Sequence, residues 1–409
     1  MIQDRRRVVV TGIGMITPLG RGVNRSWEAV LRGENAVGPI RRFDASRFPV
    51  QFAAEVADPG PSVALPPGVA YLAADLKGRL AVAAAREALD MAGLTEGGPR
   101  VGVCIGSEAS RPPLAETSAQ VCGGILPVAH DLQRMSPDAP TRFLSALIGA
   151  TGPRSTISTA CTSSSQAVGE GMLSIRRGDA DAMLVGGVDV LVDPIMVTGF
   201  SLLGALSTRN DEPTRASRPF DIGRDGFVLG EGAGFLVLEE RGRAMRRGAT
   251  ILGELSGFGC SCNAYRITDS PPDGRGAGSA MTAGLLDAGL LPEEIGYINA
   301  HGTSTPMNDA SETRGIERAF GHLAQQVSVS STKSMMGHLV AACGAVEAIL
   351  CVLAVRDGIL PPTINLDEPD PACALNHVQN VAHERRIRHA MTNAFGFGGS
   401  NGTLVVSAP

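Results

Sequence analysis

Apolar and polar positions along the chain fall into two alternating rhythms. Short apolar runs flanked by turn residues, "RRVVVTGIG", "RVGVCIGS" and "DAMLVGGVDV", predict buried strands. Between them lie longer stretches of helical character. "NRSWEAVLRGE" has Asn24 as candidate N-cap, and "DLKGRLAVAAAREALDMAGL" stops at Gly93. The alternation resumes in the second half, where "ATILGELSGFG", "GYINAHG", "QVSVSST" and "MTNAFGFGGSNGTLVVSA" take the strand part. The helices there are "GAGSAMTAGLLDAG", "DASETRGIERAFG" and "GAVEAILCVLAVRDG". This order predicts an α/β architecture with sheets covered by helices. The Pro-rich "VADPGPSVALPPG" reads as an excursion loop. The best division falls near residue 250, after "RAMRRG". It gives halves 1–250 and 251–409, each with several β–α units, as a duplicated domain would have.

Composition narrows the function classes. With 44% hydrophobic and 19% charged residues in 409, the chain suits a globular protein with a substantial core. A net charge of −5 gives no electrostatic case for nucleic acid or an anionic membrane. The opening "MIQDRRRVVVTGIGM" has basic residues before apolar ones, but the run ends at Val10 and Gly12 and Gly14 break it. It reads as a first strand rather than a leader, and no apolar stretch is long enough to span a bilayer. The eight cysteines are scattered, and Cys260 and Cys262 lack zinc-knuckle spacing. A reducing cytoplasm is the expected compartment.

One cysteine stands apart. Cys161 lies in "STACTSSSQ", between an extended stretch and a predicted helix, with nothing bulky beside it. A helix N-terminus lowers a thiol's pKa, and a strand-to-helix turn projects the side chain into a cleft. The alternative is a small buried hydrophobe, the usual state of a free cysteine. Two histidines tilt the balance. His301 follows a predicted strand in "NAHGTSTPMND", with Thr303 and Thr305 close behind, and Lys333 and His338 bracket a turn in "SSTKSMMGHLV". One nucleophile with two donors is the expected chemistry. Zinc is the rival, but Cys/His₂ here has no local pair at ligand spacing, so no metal is expected. The glycines of "NAFGFGGSNG" predict a loop that approaches a ligand closely or moves.

The segments "TACTSS", "NAHGTSTPMND", "SSTKSMMGH" and "NAFGFGGSNG" occur in the order and approximate spacing of β-ketoacyl-acyl-carrier-protein synthases, and the chain most resembles the synthase II type. "GALSTRNDEPTRASRPFDIGRDGFVLGEGAGFLVLEE" and "LPPTINLDEPD" extend the resemblance. It implies a thiolase fold, five layers αβαβα from two similar βαβαβαββ halves. It implies a Cys–His–His set of Cys161, His301 and His338, with the acyl chain held on Cys161 and malonyl decarboxylated beside the imidazoles. Backbone N–H groups of Cys161 and Phe397 would form the oxyanion hole, and Thr303 and Thr305 would bind pantetheine. Lys333 and Glu347 would pair behind the site, with Asp309 and Glu312 nearby. Phe397, followed by Gly398 and Gly399, would be the gate, and Phe227 its packing partner. The implied partners are acyl carrier protein, which carries the substrates on phosphopantetheine with no further cofactor, and a second copy or a homologous subunit.

Departures from the family pattern are local. After "CIGS" this chain has Glu108, Ala109, Ser110 and Arg111 where glycines are usual. The excursion near residue 60 offers only Lys77 and Arg79 as basic residues, leaving Arg134, Arg142 and Arg209 as candidate cations for an acidic carrier. Asn263 and Arg266 stand where Asp and His are common. The resemblance implies condensation in fatty-acid or polyketide biosynthesis, and the departures point to a synthase specialised for one pathway, such as a polyketide or an unusual lipid, or to a type II polyketide ketosynthase subunit beside a chain-length factor. Three other readings compete. A non-catalytic chain-length-factor subunit would lack the nucleophile, and a thiolase would lack "HGTST" and "KSMMGH". A decarboxylating or initiating variant would use the same histidines.

Overall fold

The structure, a computed structural model, describes residues 6–60, 65–110, 114–124 and 129–409. Arg111 and part of the Pro-rich excursion, residues 61–64, lie outside them. Ten strands carry the main sheets: β1 Val8–Thr17, β2 Val101–Gly106, β3 Arg154–Ile157, β4 Ala182–Asp189, β5 Gly232–Glu240, β6 Gly253–Cys262, β7 Tyr297–Asn299, β8 Ser328–Ser330, β9 His389–Phe395 and β10 Ser400–Ser407. They run in the orders β3-β2-β4-β5-β1 and β8-β7-β9-β10-β6. In each set the three strands farthest from the join are parallel and the remaining pairings antiparallel. Order and sense therefore repeat. Among the described residues the two sets pair edge to edge at Val9–Glu254 and Val10–Gly253.

Helices complete five layers. On one outer face lies α1 (Leu76–Ala92), capped by the Asp75 carboxylate on Gly78 N–H and ended by left-handed Gly93 at φ 61°. The glycines of "TGIG" exist for this helix: a Cβ at Gly12 would lie 2.0 Å from the Ala88 carbonyl oxygen. Between the sheets run α2 (Ser163–Arg177) and, from the second half, α5 (Cys343–Asp357), each touching strands of both sets. The other outer layer is α3 (Arg275–Ala288) with α4 (Pro306–Phe320). The near-continuous apolar run of α5, interrupted by Glu347, follows from its place, since Cys343 through Val355 are all buried. No helix among the described residues is long and apolar enough to cross a membrane.

Two local expectations need correction. The helix in "NRSWEAVLRGE" spans Val23–Leu31, so Asn24 lies inside it and Gly22 takes the cap position. The Val23 N–H is satisfied from a distance, by Glu87 Oε1 of α1 at 2.8 Å, a partner that no local pattern reveals. The C-terminal glycine-rich segment is two strands, β9 and β10, with the turn Phe397–Gly399 between them.

Candidate active site

Cys161 occupies a tight turn, Ala160–Thr162, between β3 and the first residue of α2. Ala160 is held at φ 52°, a left-handed conformation that costs a non-glycine residue about 1–2 kcal/mol. Neighbouring elements support it. Gly106 at the end of β2 lets Ser164 pack within 2.3 Å of where a Cβ would be. The Glu108 carboxylate accepts from Ala160 N–H at 3.0 Å, from Ser163 Oγ at 3.1 Å and from Ser158 Oγ at 2.8 Å. Glu108 stood out in the sequence only as a departure from a glycine pattern, so this grip was not legible there.

The two histidines arrive from the other half. His338 lies in the bend after Lys333–Met336, and its backbone is pinned by Val228 and Gly230 at 2.8 and 2.9 Å. Val340 N–H donates to His338 Nδ1 at 3.3 Å, which leaves the proton on Nε2, and Nε2 faces Cys161 Sγ at 3.0 Å. His301 follows β7, with its own N–H and that of Gly302 given to the Glu312 carboxylate at 2.9 and 2.8 Å. The imidazole centroids lie 5.2 Å apart at 83°.

Electrostatics fixes the charge states. Burial, then the Lys333 ammonium, holds His338 well below its ordinary value, and His301 is held low by burial, Lys333 and His338. Both rings are neutral donors near pH 7. Burial alone would lower the Lys333 pKa, but Glu347, Cys343 and Glu312 more than offset it, and the net shift is upward. Lys333 Nζ is hydrogen-bonded to the Glu347 carboxylate, both groups being buried. The sulfur departs from expectation. The N–H groups of Phe397 and of Cys161 itself do face it and favour the thiolate, as does Lys333, but burial outweighs them and pushes the thiol up to about 12. A local reading sees the helix terminus and misses the enclosure.

A cavity of about 320 Å³ runs from Cys161 past both histidines to Thr303, Thr305 and Met307. The two threonine hydroxyls lie 2.9 Å apart, and Thr305 also caps α4. The gate expectation needs one change. Phe227 packs on His338 at 5.4 Å, and Phe200, not singled out in the sequence, stands against both Phe227 and Phe397 at 5.3 and 6.2 Å. Gly398 N–H donates to the Ile267 carbonyl at 2.6 Å and Asn263 N–H to Gly399 at 2.7 Å, so the two loops at the mouth are tied together. Asp309 braces the loop between the threonines: it accepts from Phe220 and Ser304 N–H at 2.9 and 3.2 Å and lies 3.7 Å from Arg224. Lys77 is buried, donating to the Glu108 carbonyl, and offers a carrier no surface charge. Arg79 is paired with Asp58 at 2.7 Å.

Cys161, His301 and His338 bring possible ligand atoms within 4.8 Å of one another. The charge nearby opposes metal binding, because the Lys333 cation acts on all three side chains. The set is built for hydrogen-bond donation beside a sulfur.

Comparison with known proteins agrees in extent and detail. Residues 5–244 match the family described as Beta-ketoacyl synthase, N-terminal domain, and residues 252–367 its C-terminal domain. The chain is 45% identical to the 3-oxoacyl-[acyl-carrier-protein] synthase 2 of Coxiella burnetii, covering 99% of each. Identity to that of Vibrio harveyi is 44%, with 98% of each covered. Among solved structures, a type II polyketide ketosynthase in complex with its acyl-carrier protein gives a TM-score of 0.90 at 33% identity, covering 99% of this chain and 100% of that one. A Beta-ketoacyl synthase from Burkholderia phymatum gives 0.89 at 35%, with the same coverage. By sequence over both halves and by its thiolase fold, the chain belongs to the beta-ketoacyl synthase family.

Proposed function

We propose that the protein is a 3-oxoacyl-[acyl-carrier-protein] synthase acting in fatty-acid chain elongation. The observation that carries this is the 3.0 Å approach of His338 Nε2 to Cys161 Sγ on the wall of a cavity that His301 and both threonines also line. Cys161 attacks the thioester of an acyl carrier, and the carrier thiol leaves with the proton. Thr303 and Thr305 hold the phosphopantetheine arm of the malonyl carrier. Carbon dioxide departs, its bonding pair forms an enolate, and the two imidazole N–H groups stabilise the enolate oxygen. The enolate carbon attacks the acyl–Cys161 carbonyl, whose oxygen meets the N–H groups of Cys161 and Phe397. The sulfur is expelled and a 3-oxoacyl carrier is released. Phe397, with Gly398 and Gly399, gates the pocket, while Lys333, Glu347 and Glu312 hold the histidines in place and in charge state.

The reading needs no cofactor beyond the carrier's arm, places the protein in the cytoplasm, and includes a second copy or a homologous subunit. A type II polyketide role beside a chain-length factor is the alternative, and a ketosynthase/chain length factor structure superposes at TM-score 0.91. Elongation is favoured by 45% identity to a synthase 2, against 35% for that structure. The test is intact mass of the protein, and of Cys161→Ala, with acyl and malonyl carriers. Acyl transfer lost in the variant, followed by a ketoacyl carrier two carbons longer, is expected. No acylation by any primer overturns the reading.

A further inference from the structure

The N-terminus of α2 presents a contradiction. A terminus that favours thiolate carries a carboxylate beside it, since Glu108 meets Ala160 N–H, Ser163 Oγ and Ser158 Oγ. Glu108 is itself anchored: Lys77 Nζ donates to its carbonyl and lies 3.8 Å from Asp189 Oδ1. Asp189 Oδ2 in turn accepts from Ala341 N–H at 3.3 Å, in the turn three residues after His338. One polar chain thus ties the turn that holds Cys161 to the turn that follows His338.

We propose that Glu108 is a positioning residue in which this chain differs from its family's glycine pattern. Its carboxylate fastens the left-handed turn under Cys161 and offsets the helix-terminal field at the sulfur. This rests on Cys161 being the nucleophile. The charged and titratable groups around Cys161 are His338 and His301 beside the sulfur, Lys333 behind them, Cys343 on the Cys161 carbonyl, and Glu108, two residues past β2, on the Ala160 N–H. The Glu108 carboxylate, held by the Ala160 N–H one residue before Cys161, is the anion the first half brings to the sulfur, and it favours the protonated thiol. The consequence is a nucleophile that is precisely placed yet quiet towards small electrophiles until a thioester is bound.

The test is the pH dependence of iodoacetamide alkylation at Cys161, read by peptide mass because Cys122, Cys260 and Cys262 are exposed and also react. Glu108→Gln keeps an acceptor for the Ala160 N–H and removes the charge. Its alkylation midpoint is expected to fall by about half to one pH unit, a roughly threefold to tenfold faster reaction below the midpoint. Glu108→Asp keeps the charge but shortens the reach. It is expected to hold the midpoint while acyl transfer slows about fivefold at unchanged KM for acyl carrier. Glu108→Ser, which also removes the charge, replaces the glutamine variant if that one does not fold. Coincident midpoints for wild type and the uncharged variant overturn the proposal, as does an equal shift in Glu108→Asp. Absence of acylation at Cys161 in the wild-type protein overturns the condensing-enzyme reading and this proposal with it. Normal wild-type acylation with coincident midpoints overturns this proposal alone.

Discussion

The turns Ala160–Thr162 and Val340–Ala342 are one backbone device used twice. Each begins on a left-handed residue, Ala160 at φ 52° and Val340 at φ 45°, and each leads into a central helix of 15 residues. The two helices meet end to end, with Ala345 N–H donating to Ser164 Oγ at 3.0 Å. What differs is the load. The middle residue of the first turn is Cys161, which lines the cavity; in the second it is Ala341, fully buried and outside the lining. The second half spends its side chains on His338 just before the turn and on Glu347 just after, paired with Lys333. A repeated backbone has thus become a division of labour, with the reacting atom on one side and its donors and buried charge on the other.

The strongest attempt to break this comparison moves the sulfur. Cys161→Ala combined with Ala341→Cys is expected to lose acyl transfer by on the order of a thousandfold or more. An acyl group found on residue 341 by intact mass and peptide mapping would make the turns interchangeable and end the comparison. Next comes Lys333→Met, which leaves Glu347 buried without its cation and is expected to cost about 3–5 kcal/mol in denaturant unfolding. It also frees both imidazoles from a cation that lowers them, so the acid limb of malonyl decarboxylation should move to higher pH, the neutral rings being the active form.

Smaller effects sharpen the picture. Gly344→Ala sets a Cβ 2.7 Å from the Ser165 side chain where the helices meet and is expected to cost about 1–3 kcal/mol. Gly398→Ala meets no atom within 4 Å and bears only the backbone cost of φ 85°, about 1 kcal/mol. Thermal unfolding of the pair should rank them in that order. Glu312→Gln is read differently, as a slope with pH. Burial lifts this carboxyl from its ordinary 4.5 to about 7, so its contribution to stability is full below the lower value and is lost as pH rises through the upper one. The variant lacks that slope. Wild-type Tm relative to the variant should therefore fall between about pH 5 and pH 8.

The alternation of apolar runs located most of the strands and helices because burial on a regular backbone leaves a periodic mark, and Gly93 marks a helix end by local chemistry, but the strand Gly232–Glu240 and the cap at Thr305 went unread. The converging site was legible because Cys161, His301 and His338 each sit beside small and hydroxyl residues at an element boundary. What escaped was set by distant partners. Glu87 caps a helix more than sixty positions away in the chain, and Phe200 enters between two aromatic rings that the motifs do name. The thiol's charge state escaped too, since enclosure is a property of the assembled fold and the helix terminus a property of the local chain.

The join between the sheets, two residue pairs wide among the described residues, bears on how such a protein is assembled. Neither set of strands covers its own central helix without the other, because α2 and α5 each press on both. A cut in the connection near Gly248 would leave each fragment with an uncovered central helix, prone to aggregate singly and able to regain order only as a pair. The repeat is a unit of topology without being a unit of stability.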